Sequence, residues 1–180
     1  MTTTTSVPRN ALTDGYAPAD EQHPLAAYGG LIAVFGTSLT GALVLLRATG
    51  RDLPERPRPG DLLLTAIATH KVSRLLAKDR VTGAIRAPFT RYQESSGHGE
   101  VEEQPRGSGA RRAIGELLVC PFCLGQWVAS AFAVGLVAAP RLTRFVAGIY
   151  VSSTLADLLQ LGYKAAEDRA SQPFPPAPTP

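Results

Sequence analysis

Apolar positions along this chain come in long uncharged runs, separated by polar connectors rich in proline and glycine. Leu25 to Leu46 carries no charged side chain and stops at Arg47. A run of that length crosses the hydrocarbon of a bilayer as a helix, for which about 20 residues suffice. Within it Ala33, Thr37 and Gly41 recur every four residues, a stripe of small side chains on which another helix can pack. The next stretch, Arg47 to Gly60, holds Arg47, Arg51, Arg56 and Arg58 with Pro54, Pro57 and Pro59. Prolines at that density forbid a helix.

From Asp61 to Lys78 the period returns to that of a helix. Leu62, Thr65, Ala66, Thr69, Val72, Leu75 and Leu76 share one face, and His70, Lys71, Arg74 and Lys78 the other. Asp61 is placed to cap it. Its cations make a lipid-exposed span expensive. The pattern predicts an amphipathic helix at the membrane interface or tucked against its neighbours, with the basic side chains reaching headgroups. Residues 79–116 form a long polar connector. The glycine pairs Gly97/Gly99 and Gly107/Gly109 are followed by no Gly-Lys-Ser/Thr, so they are no phosphate loop. The stretch is expected to be a flexible loop.

Leu117 to Ala139 is the second apolar run, stopped by Pro140. Starting it at Gly125 would leave too little to cross a bilayer, so the span includes Cys120 and Cys123 and sets them at the membrane boundary. Trp127 is an interface anchor. Arg141 to Arg144 reads as a cationic turn and Phe145 to Tyr163 as the third run. Gly125, Ala129 and Ala133 on one run and Gly148, Ser152 and Ala156 on the next predict a closely packed helix hairpin over 117–163. Asp157 and Gln160 lie late in this run, three apart. An intramembrane carboxylate is a functional candidate, and its bland alternative is pairing with an arginine from a loop. Residues 1–24 are polar and Thr-rich, without a cationic start followed by an apolar core, so no signal peptide is read there. They and the Pro-rich residues 166–180 are expected to be disordered. The fold class is thus all-α: a helical integral membrane protein with about three transmembrane helices, one amphipathic interfacial helix and disordered ends.

Composition sharpens this little. The 180 residues are 18% charged and 44% hydrophobic, with a net charge of +3. The basic residues flank apolar runs instead of forming an aromatic-interleaved stripe, which speaks for a bilayer as partner and against nucleic acid. The arginines after the first run place the N-terminus outside and the C-terminus in the cytoplasm, if 61–78 does not cross.

The chemistry concentrates in Cys120-Pro121-Phe122-Cys123-Leu124-Gly125-Gln126-Trp127. Cys120 at a helix entrance, with Pro121 as the first helical residue, is the position where the helix dipole favours thiolate. No strand-helix-strand pattern surrounds the pair. Structural zinc takes four ligands, and the chain offers only two cysteines with His23, His70 and His98, so a metal site of Cys120, Cys123 and His70 is weakly supplied. Buried packing is the third reading of the cysteines. No cofactor motif and no complete catalytic set is legible.

Several stretches together resemble a known family. Ser73-Arg74-Leu75, Lys78-Asp79, Arg86-Ala87-Pro88-Phe89-Thr90-Arg91-Tyr92, Gly115 to Cys123 with Gln126-Trp127, and Asp157-Leu158-Leu159-Gln160 look like the small bacterial membrane proteins of domain of unknown function thirteen-sixty. The likeness covers residues 61–165, leaving the first apolar run and both tails outside. It implies an integral protein of the bacterial cell membrane and carries over no activity, cofactor or catalytic residue. Three functions follow. The first is a structural or partner-binding helical bundle, joined to a membrane protein or a second copy through the small-residue faces. The second is a membrane thiol-redox protein using Cys120 and Cys123. The third is a metal-binding membrane protein.

Overall fold

A computed structural model describes residue 16 and residues 23–171. Six helices and one hairpin follow in order: α1 (Leu25–Ala48), α2 (Pro59–Lys78), α3 (Gly83–Arg86), β1 (Thr90–Gly97), β2 (Glu100–Pro105), α4 (Gly109–Val119), α5 (Pro121–Ala138) and α6 (Pro140–Ala170). Three of them, α1, α5 and α6, are long and apolar enough to cross a membrane. The expected disordered tails fall largely outside the described residues, although α6 extends through Ala170 and so takes in the start of the expected C-terminal tail.

The prolines set the helix starts. Pro59, Pro121 and Pro140 each open a helix, where the missing N–H costs nothing and the fixed φ fits. Pro140 therefore both ends α5 and begins α6. The chain reverses at Ala139, and Arg141 to Arg144 belong to the first turns of α6 instead of forming a separate turn.

The centre of the bundle is the packing of α2 against both α5 and α6. Ala68 of α2, Phe132 of α5 and Ala147 of α6 form the buried cluster, flanked by Leu64, Val72, Val128 and Tyr150. Ala68 and Ala147 are fully buried, so small side chains let these helices approach. At one end the Arg144 guanidinium makes two hydrogen bonds of 2.8 Å to the Asp61 carboxylate. Further along, the Lys71 ammonium donates to Asp157 at 2.5 Å. Rising numbers meet rising numbers, so α2 runs parallel to α6 and antiparallel to α5. Asp61 is consequently an ion-pair partner and no cap; Arg58 holds the N-cap position.

The hairpin packing expected from the small-residue stripes is not formed. Ala129, Ala133, Ser152 and Ala156 are exposed, and a Cβ on Gly148 would meet nothing within 4 Å. The interior face of α5 is Leu124, Val128 and Phe132, whose larger side chains gain more on burial. α5 and α6 approach most closely beside their turn, where a Cβ on Gly135 would lie 2.7 Å from Thr143 Oγ1.

α1 lies along the outside of α4 and α5. Tyr28 donates to Glu116, Phe35 meets Trp127 edge-on with ring centroids 5.0 Å apart, and Arg51 donates to the Ala138 carbonyl. α1 is thus parallel to α5. Since α2 runs the other way, the start of α1 and the later part of α6 lie at the same end of the bundle.

Candidate functional site

That shared end carries a folded polar cap where a flexible loop was expected. β1 and β2 pair antiparallel, joined through Gly97, His98 and Gly99, all three with positive φ. Two glycines there supply backbone that other residues adopt with strain. The strand acids then meet the cations of α2. Glu100 accepts two bonds from Arg74, at 2.6 and 2.7 Å, and Glu102 accepts from Lys78 at 2.6 Å. Residues two apart on a strand and four apart on a helix are both spaced by about 6–7 Å, so the two ladders match.

Arg86 holds the cap together. It is fully buried, and its guanidinium donates to both Glu103 carboxylate oxygens at 2.9 and 3.1 Å. The remaining donors reach the Leu76 carbonyl, Thr82 Oγ1 and the Asp79 carbonyl at 2.8, 2.6 and 2.9 Å. Thr90 Oγ1 adds a 2.7 Å bond to Glu103. The Arg86 side chain therefore ties the end of α2, the start of α3 and β2, and Thr90 joins β1 to them through Glu103. Burial pushes the Glu103 carboxyl up, but the bonds from Arg86 and Thr90 and the charges of Arg86 and Lys78 outweigh it, leaving it below its ordinary value. A buried arginine paired and hydrogen-bonded this fully is spent on structure.

α4 closes the cap. The Pro88 carbonyl accepts from Arg106 at 3.2 Å and from Arg111 at 2.8 and 2.6 Å. Gly115 lies so near that a Cβ on it would be 2.5 Å from the Phe89 carbonyl oxygen. The stretch Arg86 to Tyr92, part of the connector expected to be a flexible loop, is instead the frame of this cap. Alternation of Val101 and Glu103 with Glu100 and Glu102, next to a Gly-His-Gly turn, was the signal for a hairpin.

At the junction of α4 and α5 lie the cysteines. The second apolar run is no single helix: α4 ends at Val119, Cys120 has extended backbone and caps α5, and Cys123 sits in the first turn. Cys120 and Cys123 are joined as a disulfide, with Cα atoms 5.2 Å apart. The Cys123 N–H donates to Cys120 Sγ at 3.1 Å. Cys120 is half-buried, Cys123 exposed, and Phe122 between them 93% exposed. Burial as ordinary packing residues does not describe such a pair.

Other sequence candidates disperse. His70 is exposed on α2, and among the described residues no group of three His, Cys, Asp or Glu is arranged to hold a metal ion. Asp157 meets Lys71 of α2 and not an arginine of a loop, while Gln160 is exposed and outside that pair. Trp127 packs on Phe35 of α1. The Arg86–Glu103 pair was missed, since nothing local marks which arginine of a polar connector becomes buried.

The model of the family described as protein of unknown function (DUF1360) matches residues 63–163. The chain belongs to this family. It is also 26% identical over 102 residues to the sporulation protein YjcA of Bacillus subtilis (strain 168), covering 55% of this chain and 86% of that protein. No solved structure matches. The matched region begins in α2 and ends in α6, so the family unit is the α2–α5–α6 core with its cap, and α1 lies outside it.

Proposed function

We propose that this member of the DUF1360 family is a helical bundle of the bacterial cell membrane, structural or partner-binding, in which α2 crosses the bilayer beside the three apolar helices. The observation that carries the reading is the direction of α2, paired to α6 at Asp61–Arg144 and again at Lys71–Asp157. An ionisable side chain in a span is tolerable when it faces the bundle and is paired. The outward residues of α2 support the same reading, since Leu62, Leu63 and Ala66 are apolar and only His70 and Arg74, toward the cap, are polar. Both tails and the cap then share one side. Basic residues of the cap and α4, including Arg80, Arg91, Arg106 and Arg111, favour the cytoplasm for that side, against Arg47, Arg51, Arg56 and Arg58, which the crossing of α2 moves to the outside. The C-terminus keeps its cytoplasmic place and the N-terminus joins it. Lipid is the first partner. The open small-residue faces, Ala33/Thr37/Gly41 and Gly148/Ser152/Ala156, suit a second copy or another membrane helix.

The test uses single reporter cysteines at Glu55, Ser96 and Ser171 in a Cys120→Ser/Cys123→Ser background, labelled in intact cells with an impermeant thiol reagent. Ser96 and Ser171 should respond alike and Glu55 oppositely. Matching responses at all three positions would return α2 to the interface and overturn the crossing.

A further inference from the structure

We infer that Cys120 and Cys123 are a thiol–disulfide exchange site for an accessible protein dithiol, with Cys123 Sγ the atom attacked and Cys120 Sγ the leaving group. This goes beyond the bundle reading and does not depend on which helices cross.

Three observations carry it. First, the bond spans a sequence separation of 3, inside one helical turn. Loop-closure stabilisation grows with loop length, so so short a bridge staples almost nothing. Second, the two sulfurs differ in access. Cys123 is exposed beside the protruding Phe122, while Cys120 is half-buried. An incoming thiolate therefore reaches Cys123, and Phe122 offers an apolar contact to the partner. Third, the two differ in what they can release. Cys120 caps α5 and already accepts the Cys123 N–H at 3.1 Å. Negative charge developing on Cys120 is met by that N–H and by the positive end of the α5 dipole. Better-stabilised thiolates leave faster.

The step runs as follows. A partner thiolate attacks Cys123 Sγ, the Cys120–Cys123 bond breaks, and its electron pair goes to Cys120, which leaves as thiolate. The partner's second thiolate then attacks the partner's own sulfur in the mixed disulfide and expels Cys123 as thiolate. Two electrons have passed from the partner to the pair. The partner's two protons end on Cys120 and Cys123, and the partner departs as a disulfide. Run backwards, a partner disulfide reoxidises the pair.

The experiment uses the full chain in detergent micelles, with helicity followed by circular dichroism. Native protein is equilibrated in mixtures of reduced and oxidised dithiothreitol, and its free thiols are counted by maleimide mass tagging. A reversible two-electron transition with unchanged helicity is the expected result. Oxidised protein is then pulsed with glutathione, quenched with iodoacetamide and mapped by mass spectrometry. Glutathione should sit on Cys123 over Cys120 by about tenfold or more, as access and leaving group both direct it. A bond that yields to dithiothreitol only in denaturant overturns the exchange site. Glutathione on Cys120, or equally on both, overturns the assignment of roles. Cys120→Ser should also hold a stable mixed disulfide at Cys123 with an aromatic disulfide reagent, at native helicity.

Discussion

Lys71 and Asp157 stand 86 residues apart in the chain and 2.5 Å apart in space. Their pairing fixes the level of α2 against α6, and with Asp61–Arg144 it fixes the direction. Neither member has a partner elsewhere on its own helix. The pair is only partly buried, with side chains 21% and 48% exposed, so its worth is reduced by solvent screening at the Asp157 side.

A double-mutant cycle measures that pair. Lys71→Met and Asp157→Asn should each lower the thermal unfolding temperature in micelles. The double variant should lose less than the two losses summed, with a coupling of about 0.5–1 kcal/mol. Additive losses would mean that the two side chains do not meet.

The cap should respond to acid through Glu103. Its carboxyl lies below its ordinary value of 4.5 when folded. A carboxylate depressed on folding contributes stability that is present above the unfolded value and is lost as pH falls through the folded one. Amide exchange across β1 and β2 should therefore be constant from neutral pH to about 4.5 after correction for intrinsic rates, and should quicken below that. Glu103→Gln should flatten this acid response. Arg86→Ala should cost about 3–5 kcal/mol, because Glu103 is left buried and unpaired. Trypsin cleavage within 80–112 reports it, and an unchanged cleavage rate would contradict the role given to Arg86.

Gly115 is a contact glycine. Gly115→Ala should destabilise the cap by about 1–3 kcal/mol through overpacking, since the added carbon would lie 2.5 Å from the Phe89 oxygen and 3.1 Å from Pro105 Cβ. Gly162→Ala in α6 is the control. Nothing lies within 4 Å of its Cβ position, and alanine favours a helix by about 1 kcal/mol. Equal effects at the two positions would refute the close approach of α4 to the cap.

The small-residue stripes make a contrary prediction. Ala129→Leu and Ser152→Leu change exposed positions, so the unfolding temperature of the single chain should stay within about a degree or two, as surface changes stay within ±0.5 kcal/mol. Self-association in a bilayer, measured by energy transfer between labelled copies, is where a loss should appear. A fall in single-chain stability would show that these faces pack internally.

How much of this was legible depends on the range of the cause. Long uncharged runs announce themselves, because a helix of about 20 apolar residues needs no partner to be recognised. The sequence alone therefore determined the three apolar runs, Pro121 as the first residue of a helix, the helical period of α2 and the placing of Cys120 at a helix entrance. It also carried the family likeness in the stretches around Arg86 and Cys120. Tertiary structure decided everything that rests on which surfaces meet. Small residues at four-residue spacing are compatible with many partners, and the larger side chains Leu124, Val128 and Phe132 took the interior of α5 instead. The charges on α2 looked like headgroup ligands until Asp157, Glu100 and Glu102 arrived from distant segments to meet them. A polar connector became a folded cap because one buried arginine found five acceptors across three elements. No local pattern encodes that, since each acceptor is supplied by backbone or side chain only once the chain has closed around it.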